Sequence, residues 1–227
     1  MNAETHPLAM DIVTDGQVLP GHLICPSNAI GLVIFAHGSG SSQWSPRNKY
    51  VADQLNASGL GTFLFDLLTA EEAAHASYRF DIHLLARRLR AATHAVGDIA
   101  RKHKLRLGYF GASTGAAAAV QAAATPGDLY RIDAVVSRGG RPDLAGPHAL
   151  AQLASPTLLI VGGADLDVLD LNKQAHSEMR CVKALETVPH ATHLFEEPGA
   201  LEHVAELARA WFVQYLGGNE QPRPQAR

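Results

Sequence analysis

The chain has 227 residues, 47% of them apolar and 18% charged, with a formal net charge of -3 at neutral pH. That length supports a sizeable core and favours one large domain over two small ones. The weakly acidic balance excludes a surface built for nucleic acid or anionic lipid, and apolar runs such as residues 31–36 are too short to span a bilayer.

The opening segment "MNAETHPLAMDIVTDG" has neither a basic start nor an apolar signal core, so cytoplasmic residence is expected. The two cysteines, Cys25 and Cys181, lie far apart with no metal-like spacing. In a reducing compartment they read as partly buried structural thiols.

Two short extended segments, around Ile12 and His22, flank Asp15-Gly16 and predict a hairpin. Residues 31–36 form a continuous apolar run, as in a strand buried on both faces, and end in "HGSGSS". A helix is expected over 45–56, with Pro46 in its first turn and Gly59 beyond its end. Residues 61–67 read as a second buried strand, followed by the polar connection "LTAEEAAHASYRF".

The clearest helix begins at Asp81, a cap residue. Its apolar positions Ile82, Leu85, Leu89, Ala92, Val96 and Ile99 fall on one stripe. Arg87, Arg88 and Arg90 lie off the stripe and are expected on a solvated face. Strands are then expected over 105–110, 132–137, 156–161 and Lys183–Val188. Helices are expected over Thr114–Ala124, 169–179 and 201–216. Such alternation implies right-handed crossovers and a mostly parallel sheet of about eight strands, with helices on both faces. The expected domain covers 1–217, with a polar, proline-bearing tail over 218–227.

Gly111-Ala112-Ser113-Thr114-Gly115 has the G-x-S-x-G pattern, which chance alone would produce roughly once in ten chains of this length. It gains meaning from the strand before it and the helix after it. A serine at so sharp a turn is strained, and small residues at Gly111 and Gly115 prevent clashes. The same turn leaves the Thr114 N–H at a helix N-terminus, aimed at developing negative charge. The competing role for Ser113 is a helix cap.

A serine needs a base. Asp165, just past the strand over 156–161, is the candidate acid, with Asp167 as competitor or helix cap. His190 and His193 follow the last strand and are the candidate bases. After the first buried strand, the turn His37-Gly38-Ser39-Gly40 offers a second oxyanion donor in the Ser39 N–H. His37 is expected to orient that loop, and Asp66 reads as structural. Trp44, Arg47, Arg138 and Arg141 also follow strand ends and are candidate pocket residues alongside His37. An arginine there suits a carboxylate or phosphate.

The segments "FAHGSGSS", "GYFGASTGAAAAV", "LLIVGGAD" and "ATHLFEEPGALE", in that order, resemble the α/β-hydrolase superfamily, in particular its dienelactone hydrolase-like branch. "VVSRGGRPDLAG" and "DIHLLARRLRAAT" resemble a bacterial subgroup whose members occur fused to phosphoribosyltransferase domains. The resemblance implies an α/β-hydrolase fold without a large lid domain. It also implies a triad of Ser113, Asp165 and His193, and favours His193 over His190. Dienelactone hydrolases carry a cysteine nucleophile where this chain has Ser113, so ester hydrolysis is implied and dienelactone as substrate is not. The expected partner is a small ester, with no cofactor, metal, nucleic acid or membrane. Acyl transfer to another acceptor and a non-catalytic binding module are the alternatives.

Overall fold

The computed structural model describes residues 6–218; most of the expected tail lies outside them. Strands β1 (Leu8–Thr14) and β2 (Gln17–Ile24) form the opening hairpin. Asp15 and Gly16 turn it with φ of 52° and 73°, the left-handed pair that a two-residue hairpin requires. Next come β3 (Leu32–Ala36), α1 (Pro46–Ala57) and β4 (Gly61–Phe65), all five residues of each strand buried.

The polar connection folds into two single-turn helices, α2 (Ala70–Ala73) and α3 (Ala76–Arg79). Thr69 and Glu72 form a reciprocal capping box around α2. The long α4 (Ile82–Lys102) starts at Asp81, which accepts the Leu84 N–H at 3.0 Å. The rest runs β5 (Leu107–Ala112), α5 (Thr114–Ala124), β6 (Ile132–Arg138), a 3-10 turn at Pro142–Ala145, α6 (Gly146–Gln152), β7 (Thr157–Gly162), α7 (Leu166–Glu178), β8 (Lys183–Val188) and α8 (Ala200–Leu216).

The eight strands make one sheet in the order β1-β2-β4-β3-β5-β6-β7-β8, parallel from β4 to β8 with the hairpin antiparallel at one edge. α1 and α8 cover one face, where Phe35, Phe110, Val136, Ile160 and Phe212 pack together. α4, α5, α6 and α7 cover the other, where Ile34, Leu89, Val96, Val120 and Leu150 do the same. Between β6 and β7 only the 3-10 turn and α6 intervene, so no large lid covers the strand ends. Among the described residues no helix is long and apolar enough to cross a membrane.

Three expectations need correction. β5 runs two residues beyond its expected end, because Gly111 and Ala112 find ladder partners in Ala36, Ser137 and Arg138 that outweigh their poor strand propensity. α7 starts at Leu166, not 169; Leu166 is exposed, so no apolar signal marks that turn. Arg88 is not solvated. Its side chain is 1% exposed, forked onto Glu72 at 2.6 and 2.7 Å, and it donates to Leu67 O at 2.9 Å. Arg87 and Arg90 stay at the surface, paired with Asp15 and Asp128.

Candidate active site

Ser113 stands between β5 and α5 with φ 51° and ψ -122°, a conformation that costs a non-glycine residue of order 1–3 kcal/mol. Packing enforces it. A Cβ on Gly115 would lie 2.1 Å from Ala36 O, and one on Gly111 would lie 2.5 Å from the Ala116 Cα. The turn therefore closes only with glycine on both sides. Ser113 sits at the N-cap position of α5, yet its side chain makes no capping bond. The capping role is therefore not taken up, and the hydroxyl remains available. Gly115→Ala is expected to destabilise the fold by about 1–3 kcal/mol through overpacking against rigid backbone. A shifted denaturant midpoint measures this; an unchanged one would contradict the packing described.

The other candidates converge on the same strand ends. His193 Nδ1 donates to Asp165 Oδ2 at 2.7 Å, and Nε2 makes no hydrogen bond to the described residues. Asp165 occupies the N-cap position of α7 but makes no capping bond; its carboxylate is turned to His193. Asp167 lies inside the first turn of α7 and does not cap it, which corrects its expected role. His190, in the left-handed region at φ 62°, is exposed at the start of the loop.

That loop is held from several directions. Ala164 N–H donates to Ala191 O at 2.9 Å, and Thr192 gives both its N–H and its hydroxyl to Glu197 Oε1. A Cβ on Gly162 would strike Ala191 O at 2.3 Å, so glycine is what lets the loop cross the end of β7. Neither the Thr192–Glu197 clamp nor this role of Gly162 follows from the sequence pattern alone. The glycine directly after an apolar strand was the available signal. Ser113 Oγ and His193 share no hydrogen bond; bonds between a nucleophile and its base are commonly loose before substrate binds and tighten around it.

The turn after β3 packs directly on the serine, since a Cβ on Gly38 would be 2.9 Å from Ser113 Cβ. His37 is buried, its Nδ1 donating to Gly38 O at 3.0 Å and its Nε2 accepting the Leu67 N–H at 2.9 Å. Burial holds its pKa below the usual imidazole range. It orients the loop as a neutral ring and, with Ser39 and Thr114, lines a small cavity there. Asp66 accepts the Gln43 N–H and side-chain amide, which makes it structural.

The Ser39 N–H is not free: it donates to Thr114 Oγ1 at 3.0 Å. The Thr114 N–H, at the first position of α5, has no intrahelical acceptor. Trp44 is exposed and stacks on His22, with ring centroids 5.2 Å apart. Arg47 bridges to Glu196 at 3.2 Å, and Arg141 pairs with Asp143 at 2.8 Å.

A dienelactone hydrolase from Anabaena variabilis, known from its crystal structure, is 50% identical to this chain. It superposes with a TM-score of 0.86, over 93% of this chain and 98% of that one. The chain belongs to the dienelactone hydrolase-like branch of the α/β-hydrolase superfamily. Within the superfamily, Est1E from Butyrivibrio proteoclasticus shares the fold at 18% identity and a TM-score of 0.72, over 91% of this chain and 98% of that one.

A Mycobacterium tuberculosis protein named as a candidate phosphoribosyl transferase is 51% identical over 209 residues, which are 92% of this chain and 46% of that protein. The chain thus spans about half the length of the curated relatives it matches. No family model matches it.

Proposed function

We propose that the protein is a serine esterase that cleaves a small ester through an acyl-enzyme on Ser113. One observation carries the reading. A strained serine whose hydroxyl does not cap its helix stands at the same sheet end as a histidine held in one orientation by Asp165. Nothing in a merely structural turn calls for that combination, whereas acyl transfer does.

His193 Nε2 takes the Ser113 proton as Oγ attacks the ester carbonyl, and Asp165 stabilises the imidazolium that forms. The Thr114 N–H receives the oxyanion. The Ser39 N–H joins it when the substrate oxygen displaces the Thr114 hydroxyl that it now binds. The tetrahedral intermediate collapses, His193 protonates the departing alcohol, and water repeats the sequence on the acyl-enzyme.

His193 is 39% exposed, and the short β6–β7 connection leaves the strand ends open. That access favours water as the acyl acceptor over a sequestered alcohol or amine. The transferase name belongs to proteins about twice as long, and this site offers groups for acyl transfer. Residues 1–217 are taken as one catalytic domain. The unpaired, half-buried thiols of Cys25 and Cys181 suit a reducing compartment such as the cytoplasm.

A fluorophosphonate probe is expected to label Ser113, detectable by peptide mass spectrometry, and to block release of p-nitrophenol from p-nitrophenyl butyrate. Full turnover after stoichiometric labelling, or labelling elsewhere, would reject the assignment.

A further inference from the structure

The motif Ser137-Arg138-Gly139-Gly140-Arg141 ends β6 and turns against the Ser113 elbow. It grips the elbow from both sides: Arg138 O accepts the Ser113 N–H at 3.4 Å, and the Arg141 N–H donates to Ser113 O at 3.1 Å. The glycines allow that approach. Gly139 takes φ 49°, and a Cβ on it would lie 3.1 Å from His193 O; a Cβ on Gly140 would overlap Ser137 Oγ and Ala116 Cβ. The arginine side chains turn elsewhere, Arg141 onto Asp143 and the buried Arg138 toward Asn48 Oδ1, 3.4 Å from its Nη2.

One side chain reaches this turn from α7. Asn172 is fully buried and donates from Nδ2 to Gly140 O at 2.9 Å and to Val168 O at 2.8 Å. The two acceptors fix the amide's orientation, since a flipped group would set its oxygen against two carbonyls. Its Oδ1 is buried without a partner among the described residues. Asparagine is a weak helix former, and a buried acceptor without a donor costs stability. Only Ala175 is buried alongside it in α7, and an apolar side chain at 172 would serve that packing better. Packing thus does not account for an asparagine here, whereas the bond to Gly140 does.

Peptide geometry carries that bond to the reaction centre. Gly140 O and the Arg141 N–H belong to one planar peptide group, and Ser113 O and the Thr114 N–H belong to another. A donor on each carbonyl orients its plane and polarises the N–H at the far end. The bonds therefore run from Asn172 Nδ2 through the Gly140–Arg141 peptide to the Ser113–Thr114 peptide. They end on the N–H that receives the oxyanion in the proposed mechanism. The Ala116 N–H also donates to Ser113 O at 3.1 Å, so this last plane is held from inside α5 as well as from outside it. α7 itself begins at Asp165, which binds His193. One helix thereby sets the acid–base pair at its N-cap and the oxyanion donor through a residue two turns later.

We propose that Asn172 is a positioning residue for the oxyanion site, acting through two linked peptide groups on the Thr114 N–H. This rests on the serine-esterase reading. The relay matters most where negative charge develops on the substrate oxygen, so its loss should slow turnover and leave ground-state binding alone.

The test compares wild type with Asn172→Leu, which keeps the branched shape and removes the donor. For p-nitrophenyl butyrate kcat should fall by about tenfold, a part of the roughly hundredfold or greater loss that follows removal of a whole oxyanion donor. KM should stay within about twofold. Lys173→Met, at an exposed pair on the same helix, should leave both constants unchanged. An unchanged kcat in Asn172→Leu, or a loss confined to KM, would overturn the proposal. If Asn172→Leu does not fold, Asn172→Ala, smaller and equally without a donor, is read the same way.

Amide hydrogen exchange followed by NMR needs no turnover and separates this proposal from the esterase reading. The Arg141 N–H should exchange slowly in wild type and about tenfold faster or more in Asn172→Leu. The Val135 N–H, bonded to Pro156 O within the sheet, should be unaffected and serves as the internal reference. Protection of Arg141 that is lost in the variant upholds the relay even if no ester is turned over, in which case the esterase reading alone falls. Fast Arg141 exchange in wild type, or protection unmoved in the variant, contradicts the relay.

Discussion

Ser113→Ala lowers kcat for p-nitrophenyl butyrate by a factor on the order of a million, the loss seen when a triad acting as a unit loses its nucleophile. Without Oγ no acyl-enzyme forms, and His193 and Asp165 have no proton to move. Any residual rate comes from substrate binding and the Thr114 N–H. The substitution removes one oxygen that makes no hydrogen bond to the described residues, and alanine bears the same strain at φ 51° as serine. Thermal stability should therefore stay near wild type, which separates lost chemistry from lost fold. Asp165→Asn should cost about ten-thousandfold. Its amide presents a donor where His193 Nδ1 needs an acceptor, so the ring turns its proton toward the serine. Retention of wild-type turnover by Ser113→Ala would end the esterase reading, and a drop of only a few-fold in Asp165→Asn would remove Asp165 from it.

The architecture was readable because the parallel strands are nearly continuous apolar runs and the helices carry periodic stripes or alanine. Thr114–Ala124 and Lys183–Val188 were placed to the residue, since glycine or proline bounds them or the apolar pattern stops abruptly. Boundaries that depend on ladder partners were not readable, as at Ala112, where the pairing strand lies far away in sequence. The capping box of Thr69 and Glu72 matches a T-x-x-E pattern, but no apolar run follows it to mark a helix within that polar stretch. Ser113, Asp165 and His193 could be proposed from the sequence because each lies in a turn or loop that follows a strand, with His193 favoured over His190 by the resemblance.

What sequence order hides is how neighbouring polar groups divide their bonds. Arg138 and Arg141 differ by three positions and look alike in a string, yet one has a carboxylate and the other has none. The Ser39 N–H looked free until Thr114, 75 positions away, was seen to accept it. Arg88 looked solvated because its partners, Asp15 and Glu72, come from two other segments that fold over it.

Arg88→Met should destabilise the fold by about 3–5 kcal/mol, the usual loss when one member of a buried ion pair is removed. Methionine has similar bulk, so cavity formation contributes little; the cost comes from Glu72, left mostly buried without its cation, and from Leu67 O, left without its donor. The pair also carries a pH signature. Arg88 holds the Glu72 pKa at about 2, below its ordinary value of 4.5. The unfolded chain therefore binds the proton first, and the stabilisation, complete above pH 4.5, fades as pH falls toward 2. Asp15, lowered by its bond to Arg87, acts in the same direction. The difference in Tm between wild type and Glu72→Gln should be largest at neutral pH and shrink across that acid window. A difference constant between neutral pH and pH ~2.5 would refute the linkage. The effect should also reach the site, because Leu67, whose carbonyl accepts from Arg88, donates its N–H to His37, which sets the Ser39 loop. Arg88→Met should therefore lower kcat for the ester even at temperatures where it stays folded, whereas Arg101→Met, at an exposed pair on the same helix, should alter neither stability nor turnover.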